Sequence, residues 1–230
     1  SGTADSKVRK PMVYSLTISG KNLLGRKTIK DAVVLVFFDT AGEDLNQEDT
    51  MTKVNKYIYR SDGILLLIDP LQLSWVRDKL GKSKMLPGQN TETADIVNRV
   101  TRLVQEGCDL ELTETIPIPM AVAFSKFDAV KPLVDEQFQL NASPRHAGGF
   151  DENDFQAINE EMKVLLQEWG GEEIVNQVMN RYATHGFFGL SALGCNPHGS
   201  NRIDRVLPKR VADPFLWLLA RNKLIREVES

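Results

Sequence analysis

Three short polar segments each follow an apolar run, and their residue types suit the handling of a charged ligand. Asp39-Thr40-Ala41-Gly42-Glu43 follows Ala32–Phe38, Ser125-Lys126-Phe127-Asp128 follows Ile116–Phe124, and Ser191-Ala192-Leu193 follows Tyr182–Leu190. A carboxylate such as Asp39 can hold a water bound to Mg²⁺, a hard cation that prefers oxygen and keeps part of its hydration shell. Gly42 lets a backbone N–H approach an anion without interference from a Cβ. Asp128 can accept a pair of N–H donors. Lys126 can lay its aliphatic stem on a flat ring while its ammonium reaches outward.

The surrounding pattern says what must position these groups. Residues 1–10 are small, polar and charged and read as a flexible start. Val13–Ile18 alternates with period two, as a half-buried strand does, and Ala32–Phe38 is a continuous β-branched run that fits a strand buried on both faces. Together they predict an antiparallel edge hairpin leading into a central strand. Apolar residues at Met51, Val54, Tyr57 and Ile58 predict a helix over Asn46–Arg60, closed by Ser61-Asp62-Gly63. Ile64–Ile68 reads as a buried strand with an acidic-proline stop at Asp69-Pro70. Helices are expected at Leu71–Leu80, Thr91–Gln105, Glu152–Trp169, Glu172–Asn180 and Pro214–Ile225, and further strands at Ile116–Phe124 and Tyr182–Leu190. Pro132–Phe150 reads as irregular and mobile. Strands alternating with helices imply an α/β three-layer sandwich with a mainly parallel sheet. In that architecture ligands bind beyond the carboxyl ends of the strands, where the three polar segments fall.

In order, the three segments resemble the DxxG, NKxD and SAK/SAL motifs of the P-loop GTPases. The resemblance runs from Met12 to Ile225, with insertions near 82–93 and 131–170 in a single domain spanning 11–230. Those insertions and the tail Arg210–Leu219 look like the bacterial double-GTPase group. The resemblance implies a cytoplasmic, regulatory domain that binds GTP or GDP with Mg²⁺ and hydrolyses GTP. Asp39 would be the metal residue, and Asp39 and Gly42 would sense the terminal phosphate, with Asn46–Arg60 as the moving element. Glu43, where many members carry Gln, would orient the attacking water or serve as its base, or else act as a first-turn acid stabilising the next helix. Ser125, Lys126, Asp128, Ser191, Ala192 and Leu193 would hold the base. Asp128 would accept from guanine's ring N–H and exocyclic amine, a donor pair that adenine lacks. The Ala192 N–H would meet the guanine carbonyl oxygen. Ser125 stands where the family has Asn and reaches less far, which weakens base affinity and loosens guanine specificity.

The family's phosphate-binding loop, GxxxxGK[ST], is absent from the sequence. Gly20 and Gly25 have the right spacing, but Arg26 intrudes before Lys27-Thr28, and ten residues cannot hold a helix and a strand before Asp39. That stretch is better read as a hairpin connection. Gly81-Lys82-Ser83 has Val76 where the first glycine belongs. The chain is therefore expected to be a fragment whose loop lies upstream, inactive as it stands. The alternative is a non-enzymatic interaction module that keeps the fold and has lost the nucleotide.

Composition narrows the field. Lys and Arg total 28 against 31 Asp and Glu, a net charge of −3, which excludes nucleic-acid binding by bulk charge. Two cysteines exclude a disulfide scaffold and a four-cysteine zinc site. No apolar run is long enough to cross a bilayer, and no basic-then-apolar leader opens the chain. The expected partners are a guanine nucleotide and a protein effector or partner chain, with no nucleic acid and no membrane. His146, His185 and His198 lack metal-ligand spacing, and Asp151-Glu152-Asn153-Asp154 reads as a helix start rather than a calcium loop.

Overall fold

The computed structural model describes residues 11–21, 25–38, 55–81, 88, 93–144, 146, 148–195 and 205–228. The chain divides into two compact units, Ser1–Tyr57 and Ile58–Ser230.

In the first unit, β1 (Met12–Lys21) and β2 (Lys27–Phe37) form an antiparallel ribbon, in register from Met12↔Phe37 to Lys21↔Lys27 with an irregularity between Ile18 and Ser19. Gly20 pairs with Thr28, whose hydroxyl donates to the Gly20 carbonyl at 3.3 Å. The glycine spacing at 20–28 thus belongs to a hairpin end, as expected. Burial of the Ala32–Phe38 run on both faces is not observed. Val34 and Val36 are 64 % and 47 % exposed, and among the described residues β2 pairs with β1 alone. The β-branched run reflects the fit of such side chains to a pleated ribbon, which does not require cover on two sides.

The second unit is built on a parallel sheet. Its strands are β3 (Ile64–Ile68), β4 (Met120–Phe124) and β6 (His185–Gly189), in the order β3-β4-β6. The register Ile68↔Phe124↔Gly189 brings all three carboxyl ends to one level. The central strand β4 is wholly buried, which explains its unbroken apolar sequence. Alternate residues serve opposite faces: Ala121 and Ala123 join Phe155, Phe188, Leu190, Trp217 and Ala220 in one cluster, leaving Met120, Val122 and Phe124 for the other side. Small residues on the first face let the large aromatics approach the sheet.

Helix α1 (Ser74–Leu80) starts later than expected, after a 3-10 turn at Pro70–Gln72. Helices α2 (Thr93–Gly107), α4 (Glu152–Glu168) and α5 (Glu172–Arg181) follow the expected spans closely, whereas α6 (Asp213–Arg221) ends before the expected Ile225. A single turn, α3 (Phe127–Val130), sits between them. The α2 stripe buries Val97, Val100 and Val104. The Tyr182 hydroxyl, buried, lies 3.3 Å from that of Thr101 and so links α2 to the approach to β6. Burial pushes the Tyr182 phenol up to about 12, against the opposing pull of the Thr101 contact. Of the helix expected at Asn46–Arg60, the described part, Asn55–Arg60, is a 3-10 helix. None of the helices is long and apolar enough to cross a membrane among the described residues.

Two features were not expected. A short strand β5 (Phe150–Asp151) pairs in parallel with β7 (Glu227–Val228), drawing the carboxyl-terminal segment back to the start of α4. The second lies within the segment expected to be irregular, at residues 139–141. Glu161 accepts from the backbone N–H groups of Gln139 (2.6 Å) and Leu140 (2.9 Å), opening the 3-10 turn Gln139–Asn141, and Leu140 is buried. Irregular backbone is held here by a carboxylate, which no periodicity reveals. The insertion near 82–93 lies almost wholly outside the described residues.

Candidate functional site

The level carboxyl ends of the sheet determine which polar groups meet. Asp69, Ser125 and Leu190 each follow directly on their strands, at the same edge of the layer. Ser125 donates twice to one acceptor, the Ile68 carbonyl, from its N–H at 2.8 Å and its hydroxyl at 3.0 Å. Its side chain therefore binds the end of β4 to the end of β3.

Lys126 adopts the left-handed conformation, with φ +53° and ψ +32°, directing the chain into the α3 turn. Its ammonium lies 2.6 Å from Asp69 Oδ2. Asp69 also accepts from the Leu71 N–H at 3.0 Å through Oδ1, so this carboxylate is fixed before Lys126 reaches it. In the sequence Asp69 is marked only as the stop of a strand. Its place directly after an apolar run, like that of Asp39, was the available signal.

Asp128 and Ser191 are in contact. The Ser191 hydroxyl donates to Asp128 Oδ1 and accepts from the Gly194 N–H at 2.8 Å. Ser191 is only 1 % exposed, Asp128 is half-buried and Ala192 is exposed. Phe127 N–H donates to the Leu190 carbonyl at 3.0 Å, a second tie between the two segments.

The loop after β6 has a backing that no sequence pattern signals. Ser191 and Lys209 exchange both backbone hydrogen bonds, at 3.0 and 2.8 Å, and the Leu207 N–H donates to the Leu193 carbonyl at 2.9 Å. Residues 191–193 and 207–209 thus form a short antiparallel ribbon. Gly194, at φ +75°, allows the turn: a Cβ there would lie 1.9 Å from the Leu207 carbonyl oxygen.

Beneath this loop, Arg210 is almost fully buried. Its Nη1 donates to Asp154 (2.9 Å) and Asp213 (2.8 Å), and its Nη2 to the Gln139 carbonyl (2.9 Å) and again to Asp154 (3.3 Å). Burial opposes the charge of Asp154, but hydrogen bonds from Arg210 and Gln139, with the positive potential of Arg210 and His146, hold its carboxyl below the ordinary range. For Arg210 burial opposes the charged form too, and the two carboxylates more than offset it, raising its pKa. His146 Nδ1 accepts from the Asp151 N–H at 3.2 Å, and its Nε2 faces Asp213 Oδ1 at 3.4 Å. His146, Asp154 and Asp213 offer ligand atoms within 4.8 Å of one another. Arg210 bridges both carboxylates, through the two oxygens of Asp154 and through Asp213 Oδ2, and so supplies the positive charge that balances them.

Of the anticipated residues, the structure therefore collects Ser125, Lys126, Asp128, Ser191, Ala192 and Leu193 at one end of the sheet. Asp39, Gly42 and Glu43 lie outside the described residues. Among curated proteins the chain is 28 % identical, over 205 residues, to a Mycolicibacterium smegmatis protein described as "Putative ESX-1 scaffolding and assembly protein SaeC". The match covers 80 % of this chain and 50 % of that protein, so the chain spans about half the length of the relative. No family model and no solved structure matches.

Proposed function

We propose that this chain carries the base-recognition part of a guanine-nucleotide-binding regulatory domain of the P-loop GTPase type. The observation that carries the reading is the Ser191–Asp128 contact at level strand ends. Oriented through Oδ1, the Asp128 carboxylate retains acceptor capacity for a ring N–H and an exocyclic amine. Ala192, exposed and directly after Ser191, would offer its N–H to a carbonyl oxygen, and the Lys126 stem would supply a flat apolar support.

These residues fit the base and not the phosphates. The sequence contains no GxxxxGK[ST], the loop whose backbone N–H groups grip a polyphosphate. Mg²⁺-assisted hydrolysis, with Asp39 on the metal side and Glu43 at the water, belongs to a protein that supplies that loop. For these residues alone the expectation is weak binding through the base and no measurable turnover.

A second reading is supported by the relative's description. An assembly role, with the fold kept as a platform for protein partners, fits both that name and the missing loop. Amide NMR of the chain during titration with GDP and with ADP separates the two. The nucleotide reading expects GDP to shift the signals of Lys126–Asp128 and Ala192 at lower concentration than ADP does. Equal or absent shifts would favour the platform.

A further inference from the structure

The 131–170 segment is joined to the base loop through one side chain. Arg210 follows directly on Lys209, whose backbone N–H and C=O both pair with Ser191. Its guanidinium is held by α4 through Asp154, by α6 through Asp213 and by the 3-10 turn through the Gln139 carbonyl. Its backbone sits at φ +51°, a conformation a bulky residue keeps only when its surroundings fix it. The same 3-10 turn reaches the base motif from below. A Cβ on Gly189 would meet Phe127 at 2.9 Å and Leu140 at 3.1 Å, so both side chains pack on the end of β6.

We propose that Arg210 is a positioning residue for base recognition, coupling the 131–170 segment to Asp128 through Lys209 and Ser191; this rests on the guanine reading above. The fork of the guanidinium matters more than its charge. Its bidentate grip on Asp154 sets the direction of the 207–210 segment, and the paired backbone carries that direction to the Ser191 hydroxyl. A protein that moved the Gln139–Asn141 turn would move Asp128 relative to the base, giving the segment a route by which a bound partner could alter nucleotide selectivity.

The test compares wild type, Arg210→Lys and the milder Asp213→Asn as full chains, by residue-resolved amide exchange and by titration with GDP and inosine diphosphate. Inosine lacks the exocyclic amine, so correct placement of Asp128 gives wild type a preference for GDP of about tenfold. In Arg210→Lys, exchange at Ser191 and Lys209 should rise by about tenfold relative to β4, and the GDP preference should fall towards one. Should Arg210→Lys fail to fold, Asp213→Asn carries the comparison, with both changes in the same direction and smaller. Unchanged exchange at Ser191 and Lys209 in a folded variant would overturn the coupling. Faster exchange with the GDP preference intact would overturn the positioning role, leaving Arg210 a brace. A wild-type chain with no preference for GDP would instead remove the guanine reading, and exchange alone would then judge the tether.

Discussion

Ser191 donates its hydroxyl hydrogen to Asp128 across 63 residues of chain. The contact joins the ends of two parallel strands and leaves the rest of the carboxylate available. Because the Ser191 oxygen also takes the Gly194 N–H, one buried hydroxyl shapes both the loop and the carboxylate.

Removing that hydroxyl should show both effects. Ser191→Ala is expected to destabilise the chain by about 0.5–1.5 kcal/mol, since the half-buried Gly194 N–H loses its acceptor and Asp128 its donor. It should also weaken GDP binding more than ADP binding. Urea unfolding and NMR titration measure the two; a variant with wild-type stability and wild-type selectivity would contradict the assignment.

Gly194 admits no side chain. Gly194→Ala would drive a Cβ into the Leu207 carbonyl, at a backbone angle of φ +75°. The ribbon between 191–193 and 207–209 should open, seen as faster amide exchange at Leu207 and Lys209 and a lowered Tm.

The edge of β6 is guarded by a side chain. Asn159, buried on α4, accepts from the Phe187 N–H through Oδ1 at 3.0 Å. Asn159→Leu should cost about 1–3 kcal/mol by orphaning that N–H, with the loss read in denaturant unfolding. Such a cap also blocks addition of a further strand at this edge.

Two groups give the stability curve opposite limbs. The Asp154 carboxyl is depressed in the folded chain, so its contribution is complete above the ordinary carboxylate value near 4 and is lost as pH falls below it. Tyr182 is raised to about 12, so its neutral form contributes fully below about 10 and that contribution is lost as pH climbs from 10 through 12. Asp154→Asn should flatten the acid limb and Tyr182→Phe the alkaline one, in chemical denaturation repeated across pH.

Met120–Phe124 is legible because a strand buried on both faces is an unbroken apolar run. Ile64–Ile68 is a strand as expected but not a buried one: it lies at the sheet's edge among the described residues, with Leu65 and Leu67 41 % and 59 % exposed. Asp128 and Ser191 were legible as strand-end residues, and the ladder fixes their meeting. Ala32–Phe38 misled because β-branched residues serve an open ribbon as well as a covered strand. Glu161, Arg210 and the 207–209 backing escaped notice because a carboxylate on a bare turn, or a guanidinium between two acids, has no period and no spacing. Such contacts depend on loops meeting in space, and only coordinates display them.

The central claim is that Asp128 reads a purine edge, and exchanging its acceptor for a donor tests it most directly. Guanine offers a ring N–H and an amine, whereas xanthine offers the same N–H beside a carbonyl. Asp128→Asn presents one acceptor and one donor and so matches xanthine. NMR titration with GDP and xanthosine diphosphate should show wild type preferring GDP and Asp128→Asn preferring the xanthine nucleotide, with the ratio moving by about tenfold or more. An unaltered ratio in the folded variant would contradict the account.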